Sequence, residues 1–400
     1  MAHYGLKIVE VSALITSLLI VNQSALSHPL DSYDDEMVVT NETVADTVVA
    51  GGSIVSRLLH YFEDSNNSHP DKTVDFTFLG GPSYSEATSF QLAAIAAGVY
   101  YARRDSVTPE SDLSIFAQGS LTGFYRVGVY GHHFAPEDKY RITYAVNFAH
   151  FPLHFWGLGY DMAVDNANES EYTELRTLGN VELTWRLARK LYLGPTVDIG
   201  YSKATKVENP ALWCGQRMDV FSCGVGAALY FDTRDYPLNA ANGWNLILKQ
   251  QFYPGVMGNK NPFILTELTT SWYKQVWRTG VLACMFHCGS TYGGTVSWTK
   301  MPTLDQSGGV RSYYDGRYRD KSESDVVVEL RQHIYRRSGI VVWCGAGSVF
   351  SRLNEVRLKR ILPSGGVGYR WELKERVNIR VDFGVGREST SFSFGLNEAF

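Results

Sequence analysis

Residues 376–400 read RVNIRVDFGVGRESTSFSFGLNEAF. In the first half Val377, Ile379, Val381, Phe383 and Val385 alternate with Asn378, Arg380, Asp382, Gly384 and Gly386. In the second half Phe392, Phe394, Leu396 and Phe400 hold even positions, while Ser391, Ser393, Gly395, Asn397 and Ala399 hold odd ones. A period of two gives a strand one apolar face and one polar face. Half-buried strands of soluble sandwiches alternate too. Here the polar face mixes charges of both signs in mid-strand beside glycines, which suits a wet lumen. The apolar face then meets lipid.

The same pattern recurs upstream. In GVGYRWEL (366–373), Val367, Tyr369, Trp371 and Leu373 alternate with Gly368, Arg370 and Glu372. In VVVELRQHI (326–334), Val326, Val328, Leu330 and Ile334 alternate with Val327, Glu329, Arg331 and His333. Tyr and Trp gather near the strand ends, as interfacial girdles do. Segmenting the chain this way predicts strands at 74–84, 88–103, 112–121, 124–134, 138–151, 172–188, 190–205, 221–233, 243–254, 263–276, 280–293, 324–336, 338–351, 361–373, 376–387 and 390–400. The expected fold is all-β: a sixteen-stranded antiparallel transmembrane barrel over residues 74–400. Each segment reaches the ~9–11 residues that a tilted spanning strand needs. Links 152–171, 206–220, 255–262, 294–323 and 352–360 are long, whereas 135–137, 189, 277–279, 337 and 374–375 are tight. Long outer loops over short periplasmic turns are the expected asymmetry. Links 104–111 and 234–242 depart from it.

Composition fits this reading. The 400 residues are 44% hydrophobic and 13% aromatic, yet mean hydropathy is only −0.16. Beyond the first 30 residues no apolar run approaches the ~18–20 residues of a spanning helix. A net charge of −4 and the absence of a basic block argue against nucleic-acid binding.

Residues 1–27 (MAHYGLKIVEVSALITSLLIVNQSALS) have the form of an export signal. Lys7 supplies the charged region, Val11–Val21 the apolar one, and Ala25-Leu26-Ser27 the small residues before cleavage. Residues 28–73 form a polar periplasmic segment, with Val49, Ile54, Leu58, Leu59 and Phe62 at the spacing of a short amphipathic helix over 46–63. The five cysteines include no C-x-x-C pair. Cys214 and Cys223 could pair as a disulfide in an oxidising compartment, or all five could serve as small apolar fillers.

The longest link contains GGVRSYYDGRYRDKSE, residues 308–323. Val310-Arg311-Ser312-Tyr313 resembles the V/I-R-G-Y/F signature on the inward-folded loop of BamA/TamA-type outer-membrane assembly factors, with Ser312 in place of glycine. FDTRDYPLNAANGWNL (231–246), FLGGPSYSEATSFQL (78–92) and the closing strands to Phe400 are similar to other blocks of that superfamily. The resemblance covers roughly residues 74–400. It implies a bacterial outer-membrane barrel with the loop between strands eleven and twelve folded inward. It also implies lipid surroundings, contact with unfolded outer-membrane proteins or other assembly components, and a C-terminal strand signal at Phe392, Phe394 and Phe400. The family's loop arginine pairs with lumen-facing acids on the next two strands. Glu329 supplies the first here. Gly345 stands where the second acid is expected, so Arg311 is expected to rely on Glu329 alone. Family members that insert proteins carry POTRA domains ahead of the barrel, and residues 28–73 are too few for one.

No H-E-x-x-H, G-x-S-x-G, P-loop or zinc spacing occurs, so neither an enzyme nor a cofactor or metal is expected. His132-His133, His150 and His154 read as interfacial or loop histidines. Asp232, Arg234 and Asp235 read as a charged turn. Three functions remain to be separated: an assembly or translocation factor, a passive or selective pore, and a docking barrel of a larger complex.

Overall fold

Alternating sequences satisfy their backbone groups only by pairing side by side, and this chain does so in strict order. The computed structural model describes residues 75–85, 89–103, 108–109, 111–237, 239–304, 309–374 and 377–400. The signal peptide and the 46–63 helix read from the sequence lie outside them. One antiparallel sheet runs β1 (Asp75–Ser85), β2 (Ser89–Tyr100), β3 (Ser111–Ser120), β4 (Tyr125–Phe134), β5 (Tyr140–Phe155), β6 (Ser170–Ala188), β7 (Leu191–Thr205), β8 (Asp219–Asp232), β9 (Gly243–Tyr253), β10 (Phe263–Trp277), β11 (Gly280–Gly293), β12 (Ser322–Tyr335), β13 (Ser338–Phe350), β14 (Leu362–Lys374), β15 (Val377–Gly386) and β16 (Ser389–Leu396), each paired with the next. Among the described residues no helix is long and apolar enough to cross a membrane.

The two faces of the sheet differ as the alternation requires. On β12 Val326, Val328 and Leu330 are exposed, whereas Glu323, Asp325, Val327, Glu329 and Arg331 are buried. On β14 and β15 Val367, Tyr369, Phe383 and Val385 are exposed, and Arg370 and Asp382 are buried. Apolar side chains exposed along strand after strand make one continuous greasy surface, a mark of an interaction with lipid or protein. Exposed Tyr140, Trp185, Trp277 and Tyr335 lie near strand ends beside tight turns, and exposed Trp244 beside the longer β8–β9 link at the same end, forming an aromatic belt there.

The inner face is polar and curls on itself, because strands far apart in order meet across it. Glu182 on β6 accepts hydrogen bonds from Lys249 on β9 at 2.5 Å and from Tyr230 on β8. Asp198 on β7 accepts from Tyr253 on β9 at 2.9 Å. At the end with the long links, a one-turn helix α1 (Tyr160–Ala163) after β5 reaches the β13–β14 link, where Arg360 donates to Asp161 at 2.6 Å.

The last strand is shorter than the sequence suggests. It ends at Leu396, where Asn397 takes a left-handed conformation (φ 63°) that asparagine tolerates, and Asn397 N–H donates to Asn378 O at 2.6 Å. The turn carries Phe400 off the greasy face and onto the inner one. There it packs near Tyr273 on β10, 6.1 Å between ring centroids, under the Arg331 guanidinium.

Candidate functional site

The link between β11 and β12 places Val310-Arg311-Ser312-Tyr313 against the inner face of β13 to β16. Two glycines make the room. A Cβ on Gly345 would lie 2.8 Å from Gly309 O and 2.6 Å from Val326 O. A Cβ on Gly384 would lie 2.9 Å from Ser312 Oγ. The backbone there is then held by serines: Ser391 Oγ donates to Arg311 O at 2.5 Å, and Ser389 Oγ to Ser312 O at 2.7 Å. Ser312 Oγ lies 2.7 Å from Ser364 Oγ. Tyr313 OH donates to Pro363 O at 2.7 Å and accepts from Arg387 N–H at 2.8 Å.

So fixed, Arg311 enters the centre of a charge network. Its guanidinium is 1% exposed and pairs with Glu329 on β12 (0% exposed) and, at 2.8 Å, with Asp382 on β15 (2% exposed). Its flat face lies 4.2 Å from the centre of the Trp343 ring on β13. Glu329 also accepts from Arg331 at 3.0 Å. Asp382 accepts from Arg370 at 2.6 Å, and Arg370 donates to Glu398 at 2.8 Å. Arg380 approaches Asp382 at 3.8 Å. Four arginines therefore meet three carboxylates across β12, β14, β15 and the tail. Buried ions of this kind persist only when each keeps a partner. The arrangement offers no nucleophile–base pair. What it does is tie the loop to strands three apart in the sheet order.

The rest of the loop is anchored separately. Arg317 donates to Ala163 O at 2.9 Å and to Asn166 at 2.7 Å, and Arg319 donates to Trp298 O at 3.0 Å. Asp320 accepts from Ser351 Oγ at 2.5 Å, and burial pushes its carboxyl above the usual range. Two apolar clusters close the space around these contacts. One joins Trp156, Tyr160, Val310, Tyr313 and Leu362; the other joins Phe155, Tyr172, Trp213 and Trp298.

An Omp85 superfamily domain matches residues 130–400. The chain belongs to that superfamily. Among solved structures, this Omp85 chain is similar to BamA from Haemophilus ducreyi lacking POTRA domains 1–3, at 11% identity and a TM-score of 0.53, covering 80% of this chain and 69% of that one. It is also similar to CdiB from Escherichia coli (10% identity, TM-score 0.53, 81% of this chain and 62% of that one). CdiB from Acinetobacter baumannii gives 12% identity and a TM-score of 0.50, covering 81% of this chain and 60% of that one. At such identities the likeness concerns the fold. Comparison with curated proteins finds no match.

Within this Omp85 chain, Val310, Arg311, Ser312, Tyr313 and Glu329 come together as one unit. Three expectations need correction. Arg311 does not depend on Glu329 alone: the second acid is Asp382, supplied by β15 because the position on β13 is filled by the loop backbone against Gly345. Asp382 was visible as an inward charge in VDFG, but nothing local tied it to Arg311. Cys214 and Cys223 are free thiols. Cys214 caps a tight turn with its Sγ 3.7 Å from Met162 Sδ, while Cys223 is set by its strand pairing opposite Ile199. Of the three C-terminal aromatics, Phe392 is exposed on the greasy face and Phe400 turns inward as described; Phe394 lies outside the described side chains. Trp343, Ser364, Ser389 and Ser391 were missed, since neither residue type marks a contact until the loop is in place. The Asp232–Arg234 turn is a buried pair at 2.8 Å, with Asp235 accepting three backbone N–H bonds, which suits a turn lock.

Proposed function

We propose that this chain is the outer-membrane barrel of an Omp85-type factor that assists the insertion, assembly or translocation of outer-membrane proteins, and that it is not an enzyme. In this reading the sheet closes between β1 and β16, with the β11–β12 loop folded into the lumen and lipid around the greasy face. The observation that carries it is the pinning of Arg311 by Glu329 and Asp382, within a chain of this superfamily. A loop locked across β12 to β16 holds that wall of the barrel rigid, so movement is left to the β1 side of the β1–β16 edge.

That edge has the properties of a weak seam. β16 has eight residues and is the shortest strand among the described residues. β1 contains Gly80, Gly81 and Pro82, and proline has no N–H to give a ladder. Unpaired strand edges are costly in lipid, so an incoming strand that pairs there is stabilised. An open pore is disfavoured by the two apolar clusters that fill the loop end.

Depletion of the protein in its native host, followed by quantitative proteomics of the outer membrane, tests the proposal. A fall in several unrelated barrel proteins with precursors accumulating supports general assembly; a fall in a few supports a dedicated client. An unchanged inventory overturns the reading.

A further inference from the structure

A second cluster of ionisable groups lies apart from the arginine network, at the other end of β12. His287 on β11 stands directly opposite Asp325 on β12, and Glu323 is two residues back on the same face. Residues opposite and diagonal on one face of an antiparallel pair are within side-chain reach. Glu323 faces Gly289, where a Cβ would sit 3.2 Å from its Oε1. The missing side chain leaves Glu323 room to lean toward the imidazole. His287 Nδ1 lies 2.9 Å from Glu323 Oε1 and 3.4 Å from Asp325 Oδ2. Both carboxylates are buried and the histidine is half-buried.

We propose that His287, Glu323 and Asp325 bind a divalent transition-metal cation, with zinc as its representative. Three arguments support the assignment. Donor atoms bound tetrahedrally at about 2.0–2.1 Å stand about 3.3 Å apart, close to both separations here. All three donor atoms fall within 4.8 Å of one another. An imidazole ligand favours a transition metal over magnesium or calcium, which take oxygen alone.

The site would also act on the loop. Asp325 turns Oδ2 to the cluster and accepts the Gly309 N–H on Oδ1 at 2.7 Å, two residues before Arg311. A bound cation would fix the carboxylate that holds this arm of the loop.

The test uses the full chain folded in detergent, stripped with a chelator, dialysed against zinc chloride and analysed for bound metal. We expect about one zinc per chain, displaced by neither magnesium nor calcium. His287→Ala should weaken it by about tenfold or more. Asp325→Asn is the second variant, since an amide oxygen still serves Gly309 but binds metal poorly; gel mobility without heating checks that each variant is folded. Zinc should slow exchange of the Gly309 amide in the wild type alone. No zinc on the wild type, or binding that survives both substitutions, overturns the site. Unchanged Gly309 exchange overturns the link to the loop. None of these readouts depends on the assembly reading.

Discussion

Replacing Arg311 with alanine removes the only loop side chain among the described residues that enters the β12–β15 charge network. Breaking a buried pair by deleting one partner costs about 3–5 kcal/mol. The structure places this case at the low end. Glu329 keeps Arg331 at 3.0 Å, Asp382 keeps Arg370 at 2.6 Å, and the network falls from four arginines against three carboxylates to three against three. A loss of about 3 kcal/mol corresponds to a rise of roughly a hundredfold in the population of the released loop. The β ladders do not use the loop, so they stay intact. Hydrogen exchange in detergent should show residues 309–321 losing protection by that factor while β12 and β15 amides are unchanged. Arg311→Lys should lose nearly as much, because an ammonium lacks the fork that reaches two carboxylates from different strands. Glu329→Gln should be worse than Arg311→Ala, since it leaves four cations facing two anions. Unchanged loop protection in Arg311→Ala would refute the anchor, and a Glu329→Gln milder than Arg311→Ala would refute the charge accounting.

Four further outcomes follow from other contacts. Gly345→Ala drives a methyl toward Gly309 O and Val326 O, and overpacking of this kind costs about 1–3 kcal/mol, so proteolysis should find the loop released. Lys249→Met strips buried Glu182 of its 2.5 Å cation and should lower the thermal midpoint, while the double variant with Glu182→Gln should recover part of the loss. Asp320 binds its proton more tightly folded than unfolded, so it costs stability as pH rises from its usual 3.8 through the raised value; Asp320→Asn should stabilise the loop at neutral pH and give no gain in acid below about 3.8. Cys214 is exposed and free, so a maleimide should label it in the folded protein without prior reduction; labelling that requires a reductant would show that it is bonded.

The sequence alone determined the strands and their faces. Period-two alternation is a local property of the pleat, so VNIRVDFGVG shows which residues turn outward without reference to any neighbour. Val310-Arg311 and Glu329 were legible for a similar reason: one is a short contiguous motif, and the other is an inward position on the very next strand. What the tertiary structure decided is which inward residues meet. Asp382 reaches Arg311 only because the sheet curls β15 toward β12, and Phe400 reaches Tyr273 only because Asn397 turns the tail across the inner face. His287 joins Glu323 and Asp325 through the register between β11 and β12, and the space over Gly289 completes the fit. Facing is set one residue at a time by backbone geometry. Meeting depends on register, curvature and the room left by absent side chains, which are properties of many strands together.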